Sequence, residues 1–162
     1  MPDISPDDLV TRTHDHLNQY ISLADNKASI LLTAQVAFLG LFANAVSNLS
    51  IEAPIVWWSA LMSAGFTVIG VFLSGWVVYP RTPKPETGLF FWENIVEYDS
   101  KETFREEFEQ LEDGGPREEL IEENYDLATV AHNKYHFLRW SLRLTAGTVV
   151  FAVIAGVVFL FF

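Results

Sequence analysis

Cysteine is absent from the 162 residues, which excludes disulfide staples, thiolate metal sites and cysteine nucleophiles. Positive charge is scarce, with Lys and Arg numbering 10 against 21 Asp and Glu and a net charge of −11. A sequence-independent grip on a nucleic-acid backbone needs clustered excess positive charge, so no nucleic-acid partner is expected. Also missing are a glycine-rich phosphate cradle, a nucleophile elbow and a carboxylate pair isolated in apolar sequence. No enzymatic activity and no cofactor are therefore expected.

Charge is missing in a second, local sense. No charged residue lies between Ala28 and Asn48, between Ala53 and Pro80, or between Leu144 and Phe162. Each run has roughly the 20 residues that cross a ~30 Å hydrocarbon core at 1.5 Å per residue. The first run follows an acidic, amphipathic stretch and not a short basic one, so it does not read as a secretory signal. The expected fold class is an all-α membrane protein with three transmembrane helices, helical cytoplasmic stalk extensions and a short irregular or strand-like insert. As a single domain over 1–162 it divides into a cytoplasmic helix (1–27), spans at 28–48, 54–79 and 142–162, and a cytoplasmic region at 80–140.

Orientation follows from the bases: Arg12, Lys27, Arg81, Lys84, Lys101, Arg105, Arg117, Lys134, Arg139 and Arg143 all fall on one side of the spans, while the link between spans one and two carries only Glu52. Positive-inside asymmetry puts the amino terminus and residues 81–143 in the cytoplasm and the carboxyl terminus outside, in the inner membrane. Trp57 and Trp58 then mark the outer end of span two, Trp76 and Tyr79 its inner end, and Trp140 the inner end of span three.

Small and polar residues recur within the spans: Ser29, Thr33, Ala37, Gly40 and Asn44 with Gln35 nearby; Ser63, Thr67, Gly70 and Ser74; and Thr148, Ala152 and Gly156. Such stripes let helices approach closely. The plainer reading is a contact among the three helices with Gln35 and Asn44 as hydrogen-bonding glue. The sharper one is that surplus stripes face other protomers of a homo-oligomer and line a polar path when it opens.

Ser5-Pro6-Asp7-Asp8 is a helix start, and Val10, Leu17, Ile21, Ala24 and Ala28 repeat close to every 3.5 residues, predicting one helix from Pro6 through span one. A second long helix is expected after Asp113-Gly114-Gly115-Pro116, with Ile121, Tyr125, Ala128, His132, Tyr135 and Leu138 as its stripe, parallel to the first. Gly88–Trp92 reads as a strand or loop, and Asp99-Ser100-Lys101-Glu102 as a capping box opening a short helix through Phe104, Phe108 and Leu111. The acidic run from Glu86 to Asp126 reads as a solvated face. His14, His16, His132 and His136 invite a metal, but His14 and His132 differ by about 9 Å in height, too far for one site with ~2.1 Å ligand bonds. Partly buried, hydrogen-bonded stalk histidines and no metal are expected.

Ala24-Asp25-Asn26-Lys27-Ala28-Ser29, Tyr79-Pro80-Arg81, Gly88-Leu89-Phe90-Phe91-Trp92-Glu93-Asn94-Ile95 and His132-Asn133-Lys134-Tyr135-His136-Phe137-Leu138-Arg139 stand in this order on the three-span frame. Together they resemble the Pycsar effector transmembrane domain family, over about residues 10 to 162. The chain departs from the usual pattern at Asn26 and at Trp92-Glu93. The resemblance implies an antiphage effector that damages its own cell's inner membrane, activated by a cyclic pyrimidine mononucleotide, cUMP or cCMP, made by a pyrimidine nucleotide cyclase encoded nearby.

Height along the helices puts Asp25 level with Lys134 and Arg139, so a clasp between helices one and three is expected there, flanked by Lys27. The bases near the inner boundary are candidates either for lipid headgroups or for the nucleotide phosphate. For the second role the candidates are Arg81, Lys84, Lys134 and Arg139, with Trp92 or Tyr135 stacking on the base. The alternative function is a constitutive membrane anchor or structural subunit that recruits a soluble partner through its stalk.

Overall fold

The computed structural model describes residues 5–47, 54–80, 92–109 and 115–161; the side chains of 47, 92–94, 108, 115 and 116 lie outside the description. Among the described residues five α-helices follow in order: α1 (Pro6–Ser47), α2 (Pro54–Val78), α3 (Trp92–Glu97), α4 (Lys101–Glu109) and α5 (Gly115–Phe161). No strand occurs among the described residues. The strand-like insert expected at 88–92 falls mostly outside them, and Trp92 opens α3. Residues 1–22 with 81–132 form one compact unit, and residues 23–80 with 133–162 form another.

Local chemistry sets the helix starts. The Ser5 hydroxyl accepts the Asp8 N–H at 3.1 Å, with Pro6 at the first helical position and Asp7 and Asp8 in the first turn. A cap of this kind is worth about 1 kcal/mol. At α4 the capping residue is Ser100, whose Oγ accepts the Thr103 N–H at 3.1 Å, one residue later than the expected box. That register brings Tyr98 edge-on to Phe104, with ring centres 5.3 Å apart, a hydrophobic clip across the helix start. The described part of the helix runs to Glu109, and Leu111 lies outside the described residues.

In the first unit α1 and α5 run parallel, since Asp7 faces Arg117 at 3.5 Å and the Val10 carbonyl accepts the Asn124 amide at 3.0 Å. Val10, Leu17 and Ile21 are half-buried as their spacing requires. On α5, however, the buried residues are Asn124 and Ala131, while Ile121, Tyr125, Ala128 and His132 are exposed. The contact face is turned from the expected stripe to Leu120, Asn124, Leu127 and Ala131, which alternate four and three residues and are buried or half-buried. His14 is half-buried and bonded to Asn18 at 2.8 Å, but His16, His132 and His136 lie exposed, because two helices cover only a narrow face of each other.

The second unit is inside-out by the standard of a water-soluble protein. Gln35, Ser59, Ser63, Thr67, Ser74, Lys134, Ser141 and Thr148 are buried, whereas Ile30, Leu41, Phe72, Val150 and Leu160 point outward, with Leu41 and Phe72 each 73% exposed. Water would invert that arrangement; lipid tails, as apolar as leucine, do not. Among the described residues three helices are long and apolar enough to cross a membrane. The protein is an all-α membrane protein.

Packing in this unit follows a heptad rhythm. On α2 the buried line is Val56, Ala60, Ser63, Thr67, Gly70, Ser74 and Val77, alternating four and three residues. On α1 Ala24, Ala28, Leu31, Gln35, Phe38 and Phe42 alternate likewise, and on α5 Lys134, Ser141, Thr148 and Ala155 recur every seven. A 3.5-residue repeat keeps one seam facing its neighbours along a left-handed supercoil. The helix directions follow from the contacts: Asp25 meets Lys134 and Gln35 meets Ser141, so α1 and α5 are parallel, whereas Val77 meets Lys134 and Ser63 meets Thr148, so α2 is antiparallel.

The Ser29, Thr33, Ala37, Gly40 and Asn44 stripe of α1 does not face this seam; all five are exposed, because the helix turns Gln35 inward instead. Of the α5 stripe, Thr148 is buried, Ala152 half-buried and Gly156 exposed, with open space where a Cβ would stand.

Candidate functional site

The seam between α1, α2 and α5 carries separate hydrogen-bonded clusters with a buried apolar cluster of Ala28, Val77 and Leu138 among them. At its centre Gln35, 2% exposed, donates through Nε2 to Ser141 Oγ at 3.1 Å and to Thr145 Oγ1 at 2.7 Å. Its Oε1 accepts Ser74 Oγ at 3.2 Å. The Ser74 and Ser141 hydroxyls are 2.7 Å apart, and Ser141 Oγ also donates to the Gly70 carbonyl at 3.0 Å. Gly70 is what admits the amide, since a Cβ there would stand 2.6 Å from Gln35 Nε2. About two turns further along α5, Thr148 Oγ1 lies 3.0 Å from Thr67 Oγ1, and Ser63 Oγ donates to the Thr148 carbonyl at 3.1 Å.

Toward the start of the second unit's α5 segment, beyond the apolar cluster of Ala28, Val77 and Leu138, stands an ion pair. Lys134 Nζ donates to Asp25 Oδ1 at 2.5 Å and to the Val77 carbonyl at 2.9 Å. Val77 is next to the last residue of α2, where carbonyls lack partners within the helix. One ammonium therefore ties α1, α5 and the end of α2 together. The lysine side chain is 10% exposed and the aspartate 35%, so solvent reaches the pair from the carboxylate side.

The other expected site residues take different places. Arg139 is exposed and donates from Nε to the Tyr135 carbonyl on its own helix at 3.2 Å, so the clasp uses Lys134 and not Arg139. Lys27 is exposed above the half-buried Tyr135 ring, 6.0 Å from its centre. Arg143 rests over the Trp140 ring at 4.9 Å. None of Lys27, Arg139 and Arg143 has an acidic partner among the described residues. Arg81 and Lys84, and the Trp92 side chain, lie outside the described residues. Ser141, Thr145 and Ser59 were missed by motif reading; the signal was the spacing of 141, 145 and 148 on one face of α5 and the extension of the α2 stripe by four residues.

A three-helix membrane protein with a polar seam, an ionic clasp at one end and a set of exposed bases around it is the class these features define. Residues 9–162 match the Pycsar effector protein domain, and the chain belongs to that family, whose members are antiphage defence effectors. It is 31% identical over 137 residues to the Pycsar effector protein SaPycTM of Staphylococcus aureus, covering 82% of this chain and 83% of that relative. No solved structure matches.

Proposed function

We propose that this protein is the membrane-impairing arm of a cyclic-nucleotide defence system, activated by cUMP or cCMP from a pyrimidine nucleotide cyclase encoded nearby, and acting as a homo-oligomer in the inner membrane. The amino terminus and residues 81–143 face the cytoplasm, and Phe162 ends outside. The observation that supports the reading is the contrast among the bases: Lys134 is consumed by Asp25, while Lys27, Arg139 and Arg143 stay exposed without acidic partners among the described residues, on a chain of net charge −11. An anion repelled by the acidic surface of this protein is attracted to such bases.

A cyclic phosphodiester suits the guanidinium fork of Arg139, and Arg81, Lys84, Tyr135 and Trp92 are the further candidates by chemistry, the bases for the phosphate and the rings for the base. Once there, the phosphate competes with Asp25 for Lys134, which gives it the differential affinity that a switch needs. Calorimetry on the purified protein tests this: Arg139→Gln lowers cyclic pyrimidine affinity about ten-fold or more, as expected for loss of a charge-assisted contact. Unchanged affinity makes these bases lipid anchors and moves the sensor elsewhere. In cells, co-expression with a pyrimidine cyclase depolarises the membrane of the parent and not of Arg139→Gln, read with a potential-sensitive dye.

A further inference from the structure

In the first unit the pair of α1 and α5 leaves an apolar face uncovered. Its seam sets Val10, His14, Leu17 and Ile21 against Leu120, Asn124, Leu127 and Ala131, each line alternating four and three residues. A second line on each helix keeps the same rhythm and stays exposed: Leu9, Thr13, His16 and Tyr20 on α1, and Ile121, Tyr125, Ala128 and His132 on α5. Leu9 is 58% exposed and Tyr125 76%. With the seam at heptad positions a and d, the α1 line takes c and g and the α5 line b and e. In a parallel pair g of one helix borders e of the other, so the two lines lie side by side as one face. The next g and e of these lines, Lys27 and Tyr135, are neighbours within the second unit, with the ammonium 6.0 Å from the ring centre.

The other flank of α5 is built the opposite way. Glu119, Glu123, Asp126 and Val130 are half-buried there, and the Glu119 charge reaches Tyr98, ahead of α4. Half-buried carboxylates on one flank and exposed Ile121 and Tyr125 on the other reverse what water selects. Lipid does not explain the reversal, because Asp7, Asp8, Arg12 and Asp15 on α1 and Arg117 to Asp126 on α5 are too charged for the hydrocarbon.

What covers the face follows from charge and spacing. Its eight residues include no Asp, Glu, Lys or Arg, on a chain with 21 acids, 10 bases and a net charge of −11. A basic partner would be drawn to the acidic flank. An equally acidic copy of this chain is repelled everywhere except on a neutral surface. The alternation of four and three asks for further helices in the same supercoil, and copies inserted alike in one membrane present theirs already parallel. We propose that this face is a self-association surface, on which two copies close as a parallel four-helix bundle and bury Leu9, Tyr20, Ile121 and Tyr125 of each. This rests on the homo-oligomer of the effector reading and deepens it by placing a protomer contact in the charged unit, outside the spans. The contact forms without nucleotide, so it fails separately from the nucleotide site.

The test is energy transfer between donor- and acceptor-labelled copies of the purified full chain in liposomes, at high dilution in lipid and without nucleotide. The absence of native cysteine permits labelling through one cysteine added after Phe162. The parent shows transfer. Tyr20→Glu with Tyr125→Glu weakens association about ten-fold or more, because like charges then meet across the contact. Thr11→Glu with Ser22→Glu adds the same charge to exposed positions on the other flank of α1 and leaves association at the parent level. All four side chains are exposed, so helix content by circular dichroism stays at the parent value. If the tyrosine-to-glutamate pair fails to insert, Tyr20→Ala with Tyr125→Ala, which adds no charge, weakens association in its place. Transfer that survives the substitutions on the face, or that falls equally with Thr11→Glu and Ser22→Glu, overturns the proposal and assigns the oligomer to another surface. A parent that shows no transfer overturns the proposal and the homo-oligomer together.

Discussion

Gln35 joins all three helices of the membrane unit, because one amide serves two helices at once: Ser74 on α2 and Ser141 and Thr145 on α5. Gln35→Leu removes three interhelical contacts yet leaves Ser74 and Ser141 paired with each other. The expected cost is about 1–2 kcal/mol, since each such bond is worth about 0.6 kcal/mol in a bilayer; thermal unfolding in detergent measures it. A glycine gives a contrasting case at the same scale. At Gly147 a Cβ would stand 2.8 Å from Phe66 Cδ2, and that ring is held against Phe151 with centres 5.5 Å apart. Gly147→Ala therefore forces two rings to move and lowers stability by about 1–3 kcal/mol, the usual cost of overpacking.

At the scale of the helix, burial on α1, α2 and α5 follows the heptad and not the hydrophobicity. The consequence for α5 is a free outer face near its end. A Cβ at Gly156 would meet nothing within 4 Å, so Gly156→Leu is expected to spare the protomer's packing while blocking close approach by another helix. Crosslinking in membranes is expected to show fewer multimers for Gly156→Leu than for the parent. An unchanged distribution assigns the protomer contact to another face, of which the exposed Ser29 to Asn44 stripe on α1 is the next in small-residue content.

For the whole molecule the decisive quantity is the distribution of charge across the bilayer. Every base lies on one side of the three spans. A reporter fused after Phe162 is expected to be accessible from outside the cell, and one at the amino terminus to be protected. A cytoplasmic signal at the carboxyl terminus would remove both the inner location of the exposed bases and their access to a nucleotide made in the cytoplasm.

The three uncharged runs, the Ser5 cap and the breaker before α5 were enough to place the long helices, since span length, capping and glycine-proline interruption are local properties. The sequence motifs were also enough to suggest the family. Which faces meet was a different matter. On α2 the small and polar stripe was itself the inner face, so the pattern and the packing agreed. On α1 the repeating small residues and on α5 the apolar ones drew the eye to faces that the structure leaves exposed. In lipid an outward apolar side chain costs nothing, so hydrophobicity does not mark the inside. A level estimate put both Lys134 and Arg139 within reach of Asp25; only the rotation of α5, with Leu138 and Ser141 turned inward, gave the contact to Lys134 and left Arg139 on the surface. Rotation about a helix axis is fixed by all the contacts of the bundle together, and so by tertiary structure.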